Sequence, residues 1–187
     1  MNLNDLNIDK SWTLFLDRDG VINNRIIDDY IKRWEDFKFI DGVLEAMQKL
    51  SLIFGKILIV TNQQGIDKDL MTENDLNKVH TKMIEKINKN SGRIDKIYFS
   101  PYLEKDKNAY RKPGIDMALQ AKYDYPSIDF TKSIMVGDSI TDMQFGKNAE
   151  MLTVFISGDS GKIIQNQELI DFRFKDLYSF AETIKVN

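Results

Sequence analysis

Apolar residues along the chain fall into short continuous runs separated by longer stretches with helical spacing. The runs "WTLFL" (12–16), "GKILIVTN" (55–62), "RIDKIYFSP" (93–101), "KSIMVGDS" (132–139) and "MLTVFIS" (151–157) read as buried strands. Between them, "DGVLEAMQKLSLIF" (41–54) places Val43, Leu44, Met47 and Leu50 on one face, with Asp41 as its predicted N-cap. "TENDLNKVHTKMIEKINKN" (72–90) predicts a long helix capped by Thr72, with Leu76, Val79, Met83, Ile84 and Ile87 as its apolar stripe. On that helix His80 reads as a surface or boundary residue. "PGIDMALQAKYD" (113–124) predicts a helix with Pro113 at its start. "ITDMQFGKNA" (140–149) and a segment from Leu177 to Lys185 complete the helices. Strands alternating with helices predict an α/β fold with a mainly parallel sheet. Two stretches read as irregular, Asn24–Asp36 and Ser100–Lys112. With no long linker and no repeat, residues 1–187 are expected to form one domain.

Composition narrows the chemistry. Apolar residues make up 42% of the 187 and charged residues 29%, which is enough for a core and a mixed-charge surface. The net charge is −3 and the pI about 5.3, so a nucleic-acid partner, which favours a basic excess, is not expected. There is no cysteine, which removes disulfides and thiolate-zinc sites. His80 is the single histidine, so multi-histidine metal centres are excluded as well. The N-terminus "MNLNDLNIDK" lacks a basic region followed by an apolar one, and no apolar run reaches the roughly 20 residues of a membrane span. A soluble, cytoplasmic protein without membrane partners is expected, as a monomer.

Candidate chemistry collects where the strands end. In open parallel sheets, ligands bind beyond the carboxyl ends of the strands. The first strand runs into Asp17-Arg18-Asp19-Gly20, the second into Thr61-Asn62, and the fourth into Gly137-Asp138-Ser139, with Asp142 one turn later. The loop after the third strand ends in Arg111-Lys112-Pro113. Unpaired buried charge is costly, so Asp17 and Asp19 need a compensating partner. Clustered carboxylates without thiol or imidazole favour a hard, oxygen-seeking cation, Mg²⁺ foremost. A carboxylate can also act as a nucleophile toward phosphorus, while a lysine and a hydroxyl hold the transferring oxygens.

The stretches "FLDRDGVIN", "IVTNQQGI", "RKPG" and "VGDSITDMQ" resemble the four motifs of the haloacid dehalogenase superfamily of phosphohydrolases, across about Leu14 to Ala149. The branch they are most similar to holds heptose 1,7-bisphosphate phosphatases and histidinol-phosphate phosphatases. The resemblance implies a Rossmann-like three-layer α/β sandwich with a minimal cap. It implies Asp17 as nucleophile and Asp19 as general acid/base, with Thr61 and Lys112 stabilising the phosphoryl group. Asp17, the Asp19 carbonyl and Asp138 would bind Mg²⁺, with Asp142 at or near the metal. Asn62 and Arg111 would contact substrate, and Arg25 and Asp29 would serve sugar recognition. The expected substrate is a small phosphorylated metabolite, a heptose bisphosphate that loses its 7-phosphate. Alternatives are histidinol phosphate and a polynucleotide 3′-phosphate end. A non-enzymatic scaffold is disfavoured because all five core positions keep competent residues.

One departure bears on the metal. Many members of the branch carry a zinc loop of three cysteines and a histidine before "RKP"; here the segment reads "SPYLEKDKNAYRKPG" and has none of them. No zinc is expected. The loop is expected to be held by its own packing, through Tyr98, Tyr102 and Tyr110. Trp12 and Trp34 read as packing residues.

Overall fold

The computed structural model describes residues 3–26, 29–158 and 166–185. Six parallel strands form the sheet: β1 Thr13–Leu16, β2 Lys56–Asn62, β3 Lys96–Ser100, β4 Ser133–Gly137, β5 Leu152–Ile156 and β6 Phe172–Phe174. Their order is β3-β2-β1-β4-β5-β6. The helices are α1 Val43–Ile53, α2 Glu73–Lys89, α3 Asp116–Asp124, α4 Ile140–Asn148 and α5 Leu177–Thr183. Strands β1, β2 and β4 are apolar on both faces because helices cover both.

Strand alternation sorts β1 between two cores. Leu14 and Leu16 pack into one cluster with Met47 and Leu50 of α1, Val79 and Met83 of α2, and Phe180 of α5. Phe15 packs into the other with Met117 and Ala118 of α3 and Phe145 of α4. The result is the expected three-layer sandwich. The chain runs outward from β1 through β2 to β3 and then returns to β4 on the other side of β1, so a crevice opens at the carboxyl ends of β1 and β4. Among the described residues, the segment between β1 and α1 holds one 3-10 turn, Trp34–Asp36, and no inserted domain.

Several local expectations are corrected. Gly42, in the left-handed region at φ 78, caps α1 in place of Asp41. Helix α3 begins at Asp116, not at Pro113, and the Lys112–Pro113 peptide is cis. The three-residue strand β6 was not read from the sequence. Thr72 does cap α2, in a reciprocal box with Asp75. Trp34 stacks on Phe37 at 5.1 Å and Trp12 is buried, both in packing roles. Of the three tyrosines, Tyr98 is buried and donates to Asp124 at 2.7 Å, Tyr110 is half-buried against the second core, and Tyr102 is exposed. No described helix is long and apolar enough to cross a membrane.

Candidate active site

The alternation that sorts β1 between its cores continues into the loop that follows. Asp17 shares the Phe15 side and meets groups from β4 and α4; Arg18 shares the Leu16 side and meets α2. The Asp17 backbone N–H donates to Val136 O at 2.9 Å, which fixes β1 against β4 where the carboxylates emerge. Gly20 then turns the chain at φ +93. A β-carbon there would collide with Asp138 Oδ2, so two separate constraints call for glycine.

A cavity of about 700 Å³ opens over this edge. Asp17, Asp19, Thr61, Asn62, Arg111, Lys112 and Asp142 line it, and the segment after β1 adds Arg25, Asp29 and Tyr30. Asp138 is not among its lining residues; it lines a second cavity with Gly20 and Asp176. Even so, Asp17, Asp138 and Asp142 each offer a carboxylate oxygen within 4.8 Å of the others.

Lys112 is the central cation. It is 2% exposed, and its Nζ donates to Asp17 Oδ1 at 2.9 Å and to Val60 O at 2.7 Å. It also pairs with Asp142 Oδ1 at 2.6 Å. Burial opposes its charge, but Asp142 and Asp17 outweigh burial and hold its pKa above the ordinary lysine value. Asn62 clamps the Lys112 backbone: its Nδ2 donates to Lys112 O, and its Oδ1 accepts from Lys112 N, both at 3.1 Å. Thus Asn62, read from the sequence as a substrate contact, positions the lysine while lining the cavity.

One lysine does not satisfy the carboxylates. Burial, with repulsion from Asp142 and Asp19, pushes the Asp17 pKa up to about 6 despite Lys112. Burial and repulsion from Asp17 push Asp138 up to about 7 despite Arg25. Arg25 Nη2 donates to Asp138 Oδ1 at 2.8 Å and to the Asp19 carbonyl at 3.3 Å. A guanidinium therefore bridges the two groups expected to hold a metal together with Asp17. Three close carboxylates, two with raised proton affinity, and a half-exposed cation resting on them form a donor set that fits a hard divalent ion.

Asp142 has two further engagements. Its Oδ2 accepts from Ser139 N at 3.1 Å and Ser139 Oγ at 2.6 Å, in a capping box that starts α4. Its remaining oxygen takes Lys112.

Asp19 sits in a different environment. Burial favours its neutral form, but Arg18, Asn23 and Gln63 outweigh it and lower the pKa. Arg18 Nη2 donates to Oδ1 at 2.9 Å and Oδ2 at 2.8 Å, Asn23 Nδ2 to Oδ1 at 2.9 Å, and Gln63 Nε2 to Oδ2 at 2.8 Å. Gln63 also donates to Thr61 Oγ1 at 2.9 Å, tying the hydroxyl to the Asp19 carboxylate. Arg18, Asn23, Gln63 and His80 were missed in the sequence. His80 is buried, not a surface residue, and accepts from Arg18. Of the remaining candidates, Arg111 donates to Tyr102 O at 3.3 Å beside the cavity, and Asp29 pairs with Lys32 at 2.8 Å near its rim.

A carboxylate on a buried lysine, a second held two residues on, and a third at the end of the neighbouring strand define a phosphoryl-transfer site of the haloacid dehalogenase type. The profile of the family described as Polynucleotide kinase 3 phosphatase matches residues 14–187. The chain belongs to this family of haloacid dehalogenase-superfamily phosphatases, and it is a phosphatase. The D-glycero-alpha-D-manno-heptose-1,7-bisphosphate 7-phosphatase of Campylobacter jejuni is 39% identical over 82% of this chain and 86% of its own. The Helicobacter pylori D-glycero-beta-D-manno-heptose-1,7-bisphosphate 7-phosphatase is 36% identical over 74% of this chain and 78% of its own. The D,D-heptose 1,7-bisphosphate phosphatase of B. bronchiseptica, solved with magnesium and phosphate, superposes with a TM-score of 0.81 at 26% identity, covering 91% of this chain and 96% of that one.

Proposed function

We propose that the chain is a Mg²⁺-dependent phosphomonoesterase that removes the 7-phosphate of D-glycero-D-manno-heptose 1,7-bisphosphate. The observation that carries the chemistry is the buried triad of Lys112 between Asp17 and Asp142, opening on a cavity that also holds Asp19. The relatives named above support the substrate. Asp17, whose Oδ1 is held by Lys112, attacks phosphorus with its other oxygen as the bond to the leaving alkoxide breaks. Asp19 gives that alkoxide its proton. The pKa of Asp19 is low in the free site; an incoming phosphate dianion raises it toward the value a donor needs. Water then attacks phosphorus, Asp19 takes its proton, and the carboxylate of Asp17 is restored. Lys112 and the Thr61 hydroxyl stabilise the phosphoryl oxygens. Asp17, Asp138 and the Asp19 carbonyl would hold Mg²⁺, with Asp142 beside them. The bound ion supplies positive charge that neutralises the transferring oxygens.

Arg111, Arg25 and Lys68 put positive charge along the cavity wall, which suits a doubly phosphorylated sugar. The absence of cysteine suits a reducing compartment such as the cytoplasm. The test is Mg²⁺-dependent phosphate release, compared by kcat/KM on both heptose bisphosphate anomers, histidinol phosphate and a 3′-phosphorylated oligonucleotide. The bisphosphate is expected to lead by at least tenfold. A lead for histidinol phosphate or the oligonucleotide overturns the substrate.

A further inference from the structure

Arg18 is the largest fully buried side chain in the described protein, and burying a guanidinium is expensive. Its guanidinium bonds His80 and Asp19, and it lines neither the main cavity nor the second one. Its Nη2 is committed to Asp19, its Nη1 reaches His80 Nε2 at 3.0 Å, and its Nε has no partner. Arginine can only donate, so Nε2 must be the accepting nitrogen of a neutral ring, whose proton then sits on Nδ1. The surroundings suit that form. Burial and the adjacent Arg18 push the His80 pKa down to about 3. Phe99 meets the ring edge-on at 6.4 Å.

The geometry points to His80 as a positioning residue: a neutral imidazole on α2 that aims the Arg18 guanidinium, and through it fixes the carboxylate of Asp19. This rests on the reading of Asp19 as the acid that protonates the leaving oxygen. The chain of contacts is His80 Nε2, Arg18 Nη1, Arg18 Nη2, Asp19. Asn23 and Gln63 grip the same carboxylate from other directions, so Arg18 decides one of three tethers, and it alone reaches both oxygens. Without an acceptor at residue 80, the buried Nη1 loses its partner and the guanidinium can rotate away from Asp19. The spacing suits the role, since His80 lies four residues after Leu76 and three before Met83, on the buried stripe of α2.

The test compares two substrates that differ in their need for an acid. An alkyl phosphate requires a protonated leaving oxygen; 2,4-dinitrophenyl phosphate leaves without one. The value of kcat/KM, which reports steps through phosphoryl transfer to Asp17, is measured on both for the wild type, His80→Ala, His80→Gln and Asp19→Asn. General acid catalysis is worth about 10²–10⁴-fold, so Asp19→Asn is expected to lose on that order on the alkyl ester and little on the aryl ester. His80→Ala is expected to lose roughly tenfold or more on the alkyl ester, and less than about threefold on the aryl ester. His80→Gln restores an acceptor oxygen and is expected to recover most of the loss. Equal losses on both esters in His80→Ala, or no rescue by glutamine, reduce His80 to a packing residue and overturn the proposal. If Asp19→Asn shows no selectivity between the esters, the acid reading itself falls and the positioning role falls with it. Selective loss in Asp19→Asn beside unselective behaviour in His80→Ala overturns the positioning role alone. Thermal melts of each variant identify any that fail to fold, and in that case His80→Gln against wild type decides.

Discussion

Replacing Lys112 by methionine keeps the volume of the side chain and deletes its charge. The structure makes the consequence calculable to an order of magnitude. Nζ compensates Asp17 and Asp142 at 2.9 and 2.6 Å, and all three side chains are buried. Removing one partner of a buried ion pair costs about 3–5 kcal/mol. A domain of this size loses about 2–4 °C of Tm per kcal/mol, so the metal-free variant should melt roughly 6–20 °C lower at pH 8. The cost must depend on pH. Asp17 titrates at about 6 even with Lys112 in place, so without it the folded-state pKa rises further. A carboxyl whose folded pKa exceeds its unfolded value binds more protons when folded, so stability falls as pH rises through that window. At pH 5.5 protonation of Asp17 relieves the stranded charge, and the Tm deficit should shrink to roughly half or less. The assay is thermal unfolding of wild type and Lys112→Met in EDTA at both pH values, with kcat measured in Mg²⁺. The kcat is expected to drop about 10²–10³-fold, the loss typical of one transition-state donor. Equal Tm deficits at the two pH values would show that Lys112 acts through packing, and would refute the electrostatic account.

Three further outcomes follow from the same geometry. Asp17 and Asp138, raised to about 6 and about 7, destabilise the metal-free fold as pH rises from 4 through 7, so the Tm gain on adding Mg²⁺ should be larger at pH 8 than at pH 5.5; a gain independent of pH would argue against a carboxylate site. Gly20→Ala drives a β-carbon into Asp138 at a left-handed backbone position and should weaken Mg²⁺ binding by calorimetry at least tenfold, whereas unchanged affinity would contradict the fit of Gly20 beside Asp138. Arg25→Ala removes a half-exposed cation from Asp138 and the Asp19 carbonyl, so Mg²⁺ should bind several-fold tighter; weaker Mg²⁺ binding would show that Arg25 supports the ion and does not compete with it.

Much of this was legible in the sequence, for identifiable reasons. Apolar runs of only 4–7 residues, alternating with longer segments of helical spacing, fit central parallel strands, so β1, β2 and β4 stood out, and the residues after them were expected at one sheet edge. Asp17, Asp19, Thr61, Lys112 and Asp142 do converge on one cavity. Strand β6 escaped because "FRF" is a half-buried edge strand of three residues, too short to show a period. The start of α3 was misplaced because Pro113, good at opening a helix, follows a lysine whose backbone is clamped by Asn62, and the turn before Asp116 is not helical. The partner of Arg18 was hidden by sequence distance: His80 lies 62 residues away. Two local signals did exist. Strand alternation puts Arg18 on the Leu16 side, and His80 falls in step with Leu76, Met83 and Ile87 on the buried stripe of α2. What the pattern could not show is that these two faces meet.

In the proposed reaction phosphate passes through Asp17. The most direct test is acid quenching of Asp19→Asn protein mixed with 2,4-dinitrophenyl phosphate and Mg²⁺, a substrate that needs no leaving-group proton while the variant lacks the base for the second step. Mass spectrometry of the intact chain and its peptides should find one added phosphoryl group, located at Asp17 and absent when Asp17→Asn is introduced as well. Dinitrophenol released in a stoichiometric burst with no label on the chain, or a label on any other residue, would rule out Asp17 as the nucleophile.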